Sequence, residues 1–327
     1  MKPQLNCSRR FILASAASSA VTAPAWGQAA YPNKPIRLIV GFAPGGAVDL
    51  IARALAQVLS PALGQPIVVE NRPGAGTNIA MKALIEAAPD GYTLMLTANS
   101  LAANPALFQP APFDAEKDVA AVSLVGRVPV VLAANASAPY SNVKELIAAA
   151  KSKPGHISYA SPGSGSTPHM AIEFFKSAAR ISLLHIPYRG GTPAITDVIG
   201  GQLPLVTVNA LEVQPHVRSG KLKVLAVLSP NRSSIFPDAS TIAESGFAGF
   251  EASVWYGLIA PAALPPAIIS RLHAEVQKAL QLAEVKQRLT GAGGEVLPGP
   301  VAQFTSLIRA ETTRYAKLVR EAQIKPD

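Results

Sequence analysis

Four times the chain runs a β-branched, apolar segment into a short turn of Gly, Pro, Ser or Thr and then opens an amphipathic helix: GFAPGG at 41–46, NRPGAGT at 71–77, SPGSGSTP at 161–168 and PYRGGTP at 187–193. Repeated strand, turn and helix units specify an α/β fold with a mostly parallel sheet, because parallel strands need a crossover helix. Each junction also aims unpaired backbone N–H groups and the positive end of a helix dipole at one spot, which is the physics of an anion site. In open α/β sheets ligands sit beyond the carboxyl ends of the strands, where all four turns lie. The pattern predicts a chain that holds an anion.

The order of elements divides the chain. Ile36–Val40 is apolar save Arg37, as for a strand buried on both faces, and Val48, Ile51, Leu55 and Val58 then recur at helical spacing. Ile67–Val69 predicts a second strand, followed by a helix with Met81, Leu84 and Ile85 as its buried stripe and Lys82 paired with Glu86; Tyr92–Leu96 follows as the third strand. Val119–Val125 and Val128–Ala133 read as two strands interrupted at Gly126-Arg127, where the chain would cross between lobes. Asn142 with Glu145 predicts a capped helix, and Ser166-Thr167-Pro168 a hydroxyl cap with proline beside the first helical position, a device that Thr192-Pro193 repeats. Strands are expected at 181–186, 203–208 and 222–228. The segment 247–259 would then return to the first lobe, since two helices with apolar stripes follow, Ile269, Leu272, Val276, Leu280 and Phe304, Ile308, Tyr315, Leu318. The expected lobes are 30–126 with 252–327, and 127–251, joined by two crossings that make a hinge around a cleft.

Residues 1–29 read as an export signal: Lys2, Arg9 and Arg10, an apolar run from Phe11 to Val21, then small residues, with cleavage expected after Ala29. Ser8-Arg9-Arg10-Phe11 resembles a twin-arginine signal, so the export route stays open. The only cysteine, Cys7, lies in the removed segment, which leaves no disulfide and no thiolate in the mature chain. Loss of Lys2, Arg9 and Arg10 lowers the formal charge from +9 to +6, and the basic residues form no stripe, which speaks against nucleic acid as a partner. A soluble periplasmic protein is expected.

Within the turns, each residue type carries two readings. Gly45 and Gly46 allow backbone to approach a ligand oxygen, or simply permit a tight turn. Asp49, in the first helical turn, either serves the dipole or touches the ligand. Ser164, Ser166 and Thr167 can donate to a carboxylate, although one must cap the helix; His169 can donate from its imidazole or remain structural. Arg189 is the only arginine inside a Gly-rich turn and could grip a carboxylate in bidentate fashion or stand at the surface. Trp255 and Tyr256 wall the cleft or pack the core.

Enzyme signatures are weak. There is no GxxxxGK, GxSxG or HExxH, the five histidines lack metal-ligand spacing, and the third glycine of a dinucleotide fingerprint is Ile79. No catalytic residue, metal or cofactor is expected. The rival reading from another class is an exported hydrolase using Ser166 and His169, which lacks an orienting acid.

The segments YPNKPIRLIVGFAPGGAVDLIAR, VVENRPGAGTNIA, PDGYTL, SPGSGSTPHMA, IPYRGGTPAITDVIGGQ and GLIAPAALP, in order from residue 31 to 265, resemble the Bug family of periplasmic solute-binding proteins, receptors of tripartite tricarboxylate transporters. The resemblance covers essentially the whole mature chain. It implies a type II periplasmic-binding-protein fold of two α/β lobes joined by two crossing strands, closing as a monomer on a small carboxylate and delivering it to the membrane components of the transporter. A signalling output through a sensor domain is the alternative. It further implies that the carboxylate is held by the positions matching the family's cleft loops: Phe42, Ala43, Pro44, Gly45 and Gly46 with Asp49; Asn99 and Ser100; Ser161, Gly163, Ser164, Ser166 and Thr167 with His169; and Tyr188, Arg189, Gly190 and Gly191. The chain departs from the family in two places. Pro204–Asn209 lacks the acidic residue that many relatives carry there, which argues against amino-acid ligands, and Gly41 replaces a common proline.

Overall fold

The computed structural model describes residues 31–291 and 293–326, so the expected export signal and its cleavage point lie outside the described residues. Among the described residues ten strands and ten α-helices follow one another in the order β1 (Ile36–Val40), α1 (Ala47–Leu63), β2 (Ile67–Asn71), α2 (Asn78–Ile85), β3 (Thr93–Thr97), α3 (Ser100–Leu107), β4 (Val119–Asn135), α4 (Val143–Ser152), β5 (Ser158–Ser161) and α5 (Thr167–Ala179). The chain continues through β6 (Leu184–Pro187), α6 (Gly191–Ile199), β7 (Leu205–Asn209), α7 (Ala210–Arg218), β8 (Leu222–Val227), β9 (Ser253–Pro261), α8 (Pro266–Ala279), α9 (Ala283–Thr290), β10 (Glu295–Val296) and α10 (Val301–Glu321).

The strands are ordered β2-β1-β3-β9-β4-β7-β5-β6, with β8 and β10 also on β4. β1, β2 and β3 run parallel, as do β5, β6 and β7, so each half carries its own set of strand-to-helix turns. β4 belongs to both halves: Val119–Pro129 pairs with β9, and Val130–Asn135 pairs with β7 and β8. The chain crosses again just before β9, where the Ala252 N–H donates to the Leu228 carbonyl at 2.8 Å. This is the two-lobed α/β architecture expected from the resemblance.

Three local expectations change. Gly126-Arg127 is not a loop but part of β4: the ladder shifts register between Leu124 and Gly126, and Gly126 lets β10 and Leu289 lie close, since a Cβ there would stand 2.5 Å from the Glu295 carbonyl. The strand expected at 181–186 begins only at Leu184. The helix after the fourth turn, α6, is not capped by a hydroxyl; its N-cap is Gly190, and the Thr192 hydroxyl instead donates across to the Pro44 carbonyl at 3.4 Å. Asn142 does cap α4 through the Glu145 N–H, and the Lys82–Glu86 pair forms at 3.7 Å.

The apolar stripes read from the sequence are the packing faces. Leu272, Val276 and Leu280 are buried, as are Phe304, Ile308 and Tyr315, whereas Ile85, Ile269 and Leu318 are only partly covered. Trp255 packs edge-on against Phe304 with ring centroids 5.5 Å apart, and Tyr256 is fully buried, so the core reading holds for both. Burying each such side chain contributes roughly 1.5–3 kcal/mol. Among the described residues no helix is long and apolar enough to cross a membrane.

Candidate functional site

The three turns 41–46, 161–167 and 187–191 meet face to face between the halves. Phe42, Gly46, Ala47 and Val48 from the first turn and the start of α1, Pro162, Ser166, Thr167 and Pro168 from the third, and Gly191 from the fourth surround one cavity, completed by Ala98, Ser100, Asn209, Glu212 and Val254. The helix starts of α1, α5 and α6 thus face one space, while the turn 71–77, expected to converge with them, lies outside its lining. Its volume of about 20 Å³ is room for about one water. As it stands the cavity is too small for a carboxylate solute.

The halves touch directly around this cavity. The Ala43 N–H donates to the Arg189 carbonyl at 2.9 Å, and Gly190 lies against the Ala43 backbone. The Ala47 N–H at the head of α1 donates to Glu212 Oε1 at 3.0 Å. A larger groove of about 360 Å³ opens beside the cavity, sharing Phe42 and Pro162 with it. The turn 71–77 faces this groove, together with Gly163, Ser164, Tyr188 and Arg189. Arg189 is exposed there.

Several residues matched to the cleft loops brace those loops instead of lining the cavity. Asp49 Oδ2 accepts from the Gly45 N–H and from Arg53 Nε, both at 2.9 Å, while Oδ1 accepts from Asn71 Nδ2 at 2.9 Å. Burial pushes the Asp49 carboxyl up, but hydrogen bonds from Arg53, Gly45 and Asn71 and the Arg53 charge outweigh it, leaving the carboxyl below its ordinary range. Asn99 turns toward β9 and α10: its Oδ1 accepts from the Trp255 N–H at 3.0 Å and its Nδ2 donates to Glu311 Oε2 at 3.2 Å. Tyr188 donates to Asp197 at 2.5 Å, which ties the fourth turn to α6.

The third turn rests on aromatic and imidazole rings. Ser161 Oγ contacts His185 Nε2 at 2.6 Å and accepts from the Gly163 N–H at 3.0 Å. His169 stacks on His185 with centroids 4.1 Å apart, and its Nδ1 accepts from the Gly165 N–H at 3.2 Å. Burial, then the nearby His185 and Lys176 charges, hold the His169 pKa well below its ordinary value. Ser166 Oγ accepts from the His169 N–H at 3.4 Å as the cap of α5. The Ser166–His169 hydrolase pairing is therefore absent: the hydroxyl meets the main chain of His169, and the ring meets Gly165. Among the described residues no group of three His, Cys, Asp or Glu stands together as a metal site.

Two polar residues of the cavity were not expected from the sequence, Asn209 and Glu212. They start α7, and Glu212 Oε2 accepts from the Asn209 N–H at 3.1 Å and from Asn209 Nδ2 at 3.2 Å. Asn followed three residues on by Glu is the capping signature, but no glycine marks the junction. Glu212 also accounts for two glycines. A Cβ on Gly191 would stand 2.3 Å from Glu212 Oε1, and one on Gly46 would stand 3.0 Å from it. An oxygen does approach the first and fourth turns closely, and it belongs to the chain itself. Desolvation raises the Glu212 pKa above its ordinary value, against the opposing hydrogen bonds from Ala47 and Asn209.

Comparison with known proteins agrees with this architecture. Residues 51–324 match the pattern of the family described as Tripartite tricarboxylate transporter family receptor. BugT of Bordetella pertussis is 39% identical over 297 residues, 90% of this chain and 91% of BugT. The structure of the periplasmic binding protein BugD has a TM-score of 0.87 at 32% identity, covering 91% of this chain and all of BugD. MatC from Rhodopseudomonas palustris, solved with bound malate, has a TM-score of 0.85 at 30% identity, covering 88% of this chain and 100% of MatC. These relatives are solute-binding proteins of the periplasmic type, and the chain is one too, a receptor and not an enzyme. By sequence and by fold, it belongs to the tripartite tricarboxylate transporter receptor family.

Proposed function

We propose that this receptor traps a small carboxylate between its halves and presents the closed form to the membrane components of a tripartite tricarboxylate transporter. The lobes are 30–126 with 252–327 and 127–251, and the exported chain begins after Ala29. The observation that carries the reading is the meeting of three helix starts, from α1 on one side and α5 and α6 on the other, around one small cavity. Main-chain amides and hydroxyls there neutralise a carboxylate without a dedicated cation, and the apolar walls of Phe42, Val48 and Val254 strengthen each hydrogen bond by excluding water.

The rest of the solute extends past Phe42 and Pro162 toward Tyr188 and Arg189. Related proteins solved with adipate and with malate support a carboxylated solute for this chain. Charge-assisted hydrogen bonds of about 1.5–3 kcal/mol each, less the entropy of association, give roughly micromolar affinity. Thermal-shift screening of the chain from Ala30 onward tests the reading. A carboxylate at 100 times its dissociation constant should add about 2.7 kcal/mol of stability, and failure of every carboxylate, in protein freed of co-purified solute, overturns it.

A further inference from the structure

We propose that a proton enters with the solute: when a carboxylate occupies the cavity, Glu212 takes up a proton from water and meets it as a carboxylic acid. This rests on the carboxylate-receptor reading above and adds how binding responds to pH.

Among the described residues that line the cavity, Glu212 alone carries a titratable side chain. A site read as a carboxylate trap thus has a carboxylate in its own wall. Glu212 Oε1 accepts the Ala47 N–H at 3.0 Å, and Cβ atoms on Gly46 and Gly191 would stand 3.0 Å and 2.3 Å from it, at the starts of α1 and α6. Those are two of the three helix starts on which a solute carboxylate would settle. Three N–H donors, from Ala47, the Asn209 main chain and Asn209 Nδ2, favour the ionised form of Glu212 against its desolvation.

A second carboxylate on the same helix starts reverses that balance. Two carboxylates that share a water-poor site do not both stay ionised, and one proton between them turns repulsion into an O–H···O⁻ hydrogen bond. Protonation of Oε1 puts the new donor beside the helix starts and leaves Oε2 to both Asn209 contacts. The other titratable groups around Glu212 offer no substitute. Tyr256 faces it from β9, and burial followed by the Glu212 charge holds that hydroxyl neutral, well above its ordinary pKa. On α1 Asp49 is bound to Arg53 and Asn71, on α6 Asp197 accepts from Tyr188, and on α7 itself His216 and Arg218 lie in the last turn. His169 on α5 is held neutral by burial, and Arg189 of the fourth turn is exposed. The bound form carries the extra proton, so affinity rises as pH falls and weakens as pH rises.

The test is calorimetric titration of the exported chain with succinate, malate and adipate from about pH 7 to about pH 8.5, where these acids are already ionised. Runs in HEPES and in Tris, which differ in heat of ionisation, count the protons exchanged. We expect uptake of about one proton per solute and affinity that weakens by up to about tenfold per pH unit. Glu212→Gln keeps the shape with a neutral amide, and should bring the uptake to about zero and flatten the pH dependence. Binding of these acids without proton uptake overturns the proposal while leaving the carboxylate reading intact, and so does uptake unchanged by Glu212→Gln. If the variant does not fold, the proton count and pH dependence of the wild-type chain decide alone. If none of the three acids binds, the proposal falls, and the thermal-shift screen decides the carboxylate reading separately.

Discussion

The first and third turns are built on the same plan, a strand ending in small residues and a helix starting at once, yet they are held in opposite ways. The 41–46 turn is braced by charge: Asp49 gathers the Gly45 amide, Arg53 and Asn71, and the helix start behind it reaches across the cleft to Glu212. The 161–166 turn is braced without a carboxylate, by contacts within its own half, Ser161 on His185, His185 stacked on His169, and Ser166 capping its own helix. One turn therefore clasps the other half, whereas the other keeps its hydroxyls on its own side. The difference teaches that a glycine-rich helix start need not reserve its amides for a guest. A carboxylate elsewhere in the chain can claim them.

The largest effect should come from breaking the clasp. Gly191→Val places side-chain atoms where the Glu212 carboxylate stands, 2.3 Å from the position of Cβ, and displaces it from the Ala47 N–H of the other half. We expect carboxylate affinity to fall about 100-fold, equivalent to about 2.7 kcal/mol, in calorimetric titration. Unchanged affinity would show that the contact between Glu212 and the helix starts is incidental to closure.

Next comes the charged brace. Asp49 is 2% exposed with three hydrogen bonds, so Asp49→Ala should lower unfolding free energy by about 2 kcal/mol in urea titration and should loosen the turn enough to weaken binding. The partly exposed Arg53 side of the ion pair contributes little by itself, and Arg53→Ala should cost less. A larger loss in Arg53→Ala than in Asp49→Ala would reverse the account of which group organises the turn.

The uncharged brace should show itself through pH. His169 has a folded-state pKa below its unfolded value of 6.5, so the unfolded chain binds the extra proton first. Its contribution is fully present above pH 6.5 and is lost as pH falls below that value, at up to about 1.4 kcal/mol per pH unit. His185 and Lys176 face the same ring, and the His169→Gln variant should flatten this slope in thermal melts from pH 7.5 to 5. The Asp49 carboxyl, held below its ordinary range, adds its own loss only at lower pH, so the two braces separate along the pH axis. A wild-type slope identical to that of the variant would contradict the buried neutral imidazole.

The smallest effect belongs to the cap. Ser166→Ala removes a single long hydrogen bond of 3.4 Å and should lower stability by about 0.5–1 kcal/mol.

What the sequence made legible follows from periodicity and local chemistry. The strand, turn and helix repeats, the Asn142–Glu145 cap and the stripe Phe304, Ile308, Tyr315 are each written within a dozen residues, and all appear in the structure. The convergence of three turns was legible as well, because the carboxyl ends of parallel strands share one edge. Two things were not. Gly126-Arg127 looks like a break because glycine weakens a strand, but the close approach of β10 explains the glycine within a continuous β4. Glu212 reads locally as an ordinary cap partner of Asn209, and nothing near it in sequence tells that α1, 165 residues away, offers it an amide. Asp49, Asn99 and His169 were matched to cleft loops by position, while their side chains brace those loops from behind.

A crystal structure of the exported chain with its tightest-binding carboxylate tests the central claim most directly. The account predicts the solute between the halves, its carboxylate where the starts of α1, α5 and α6 meet, while Phe42 and Ser100 of one half and Ser166 of the other touch the same molecule. A solute held by one half alone, or seated outside the meeting place of the three turns, would contradict it.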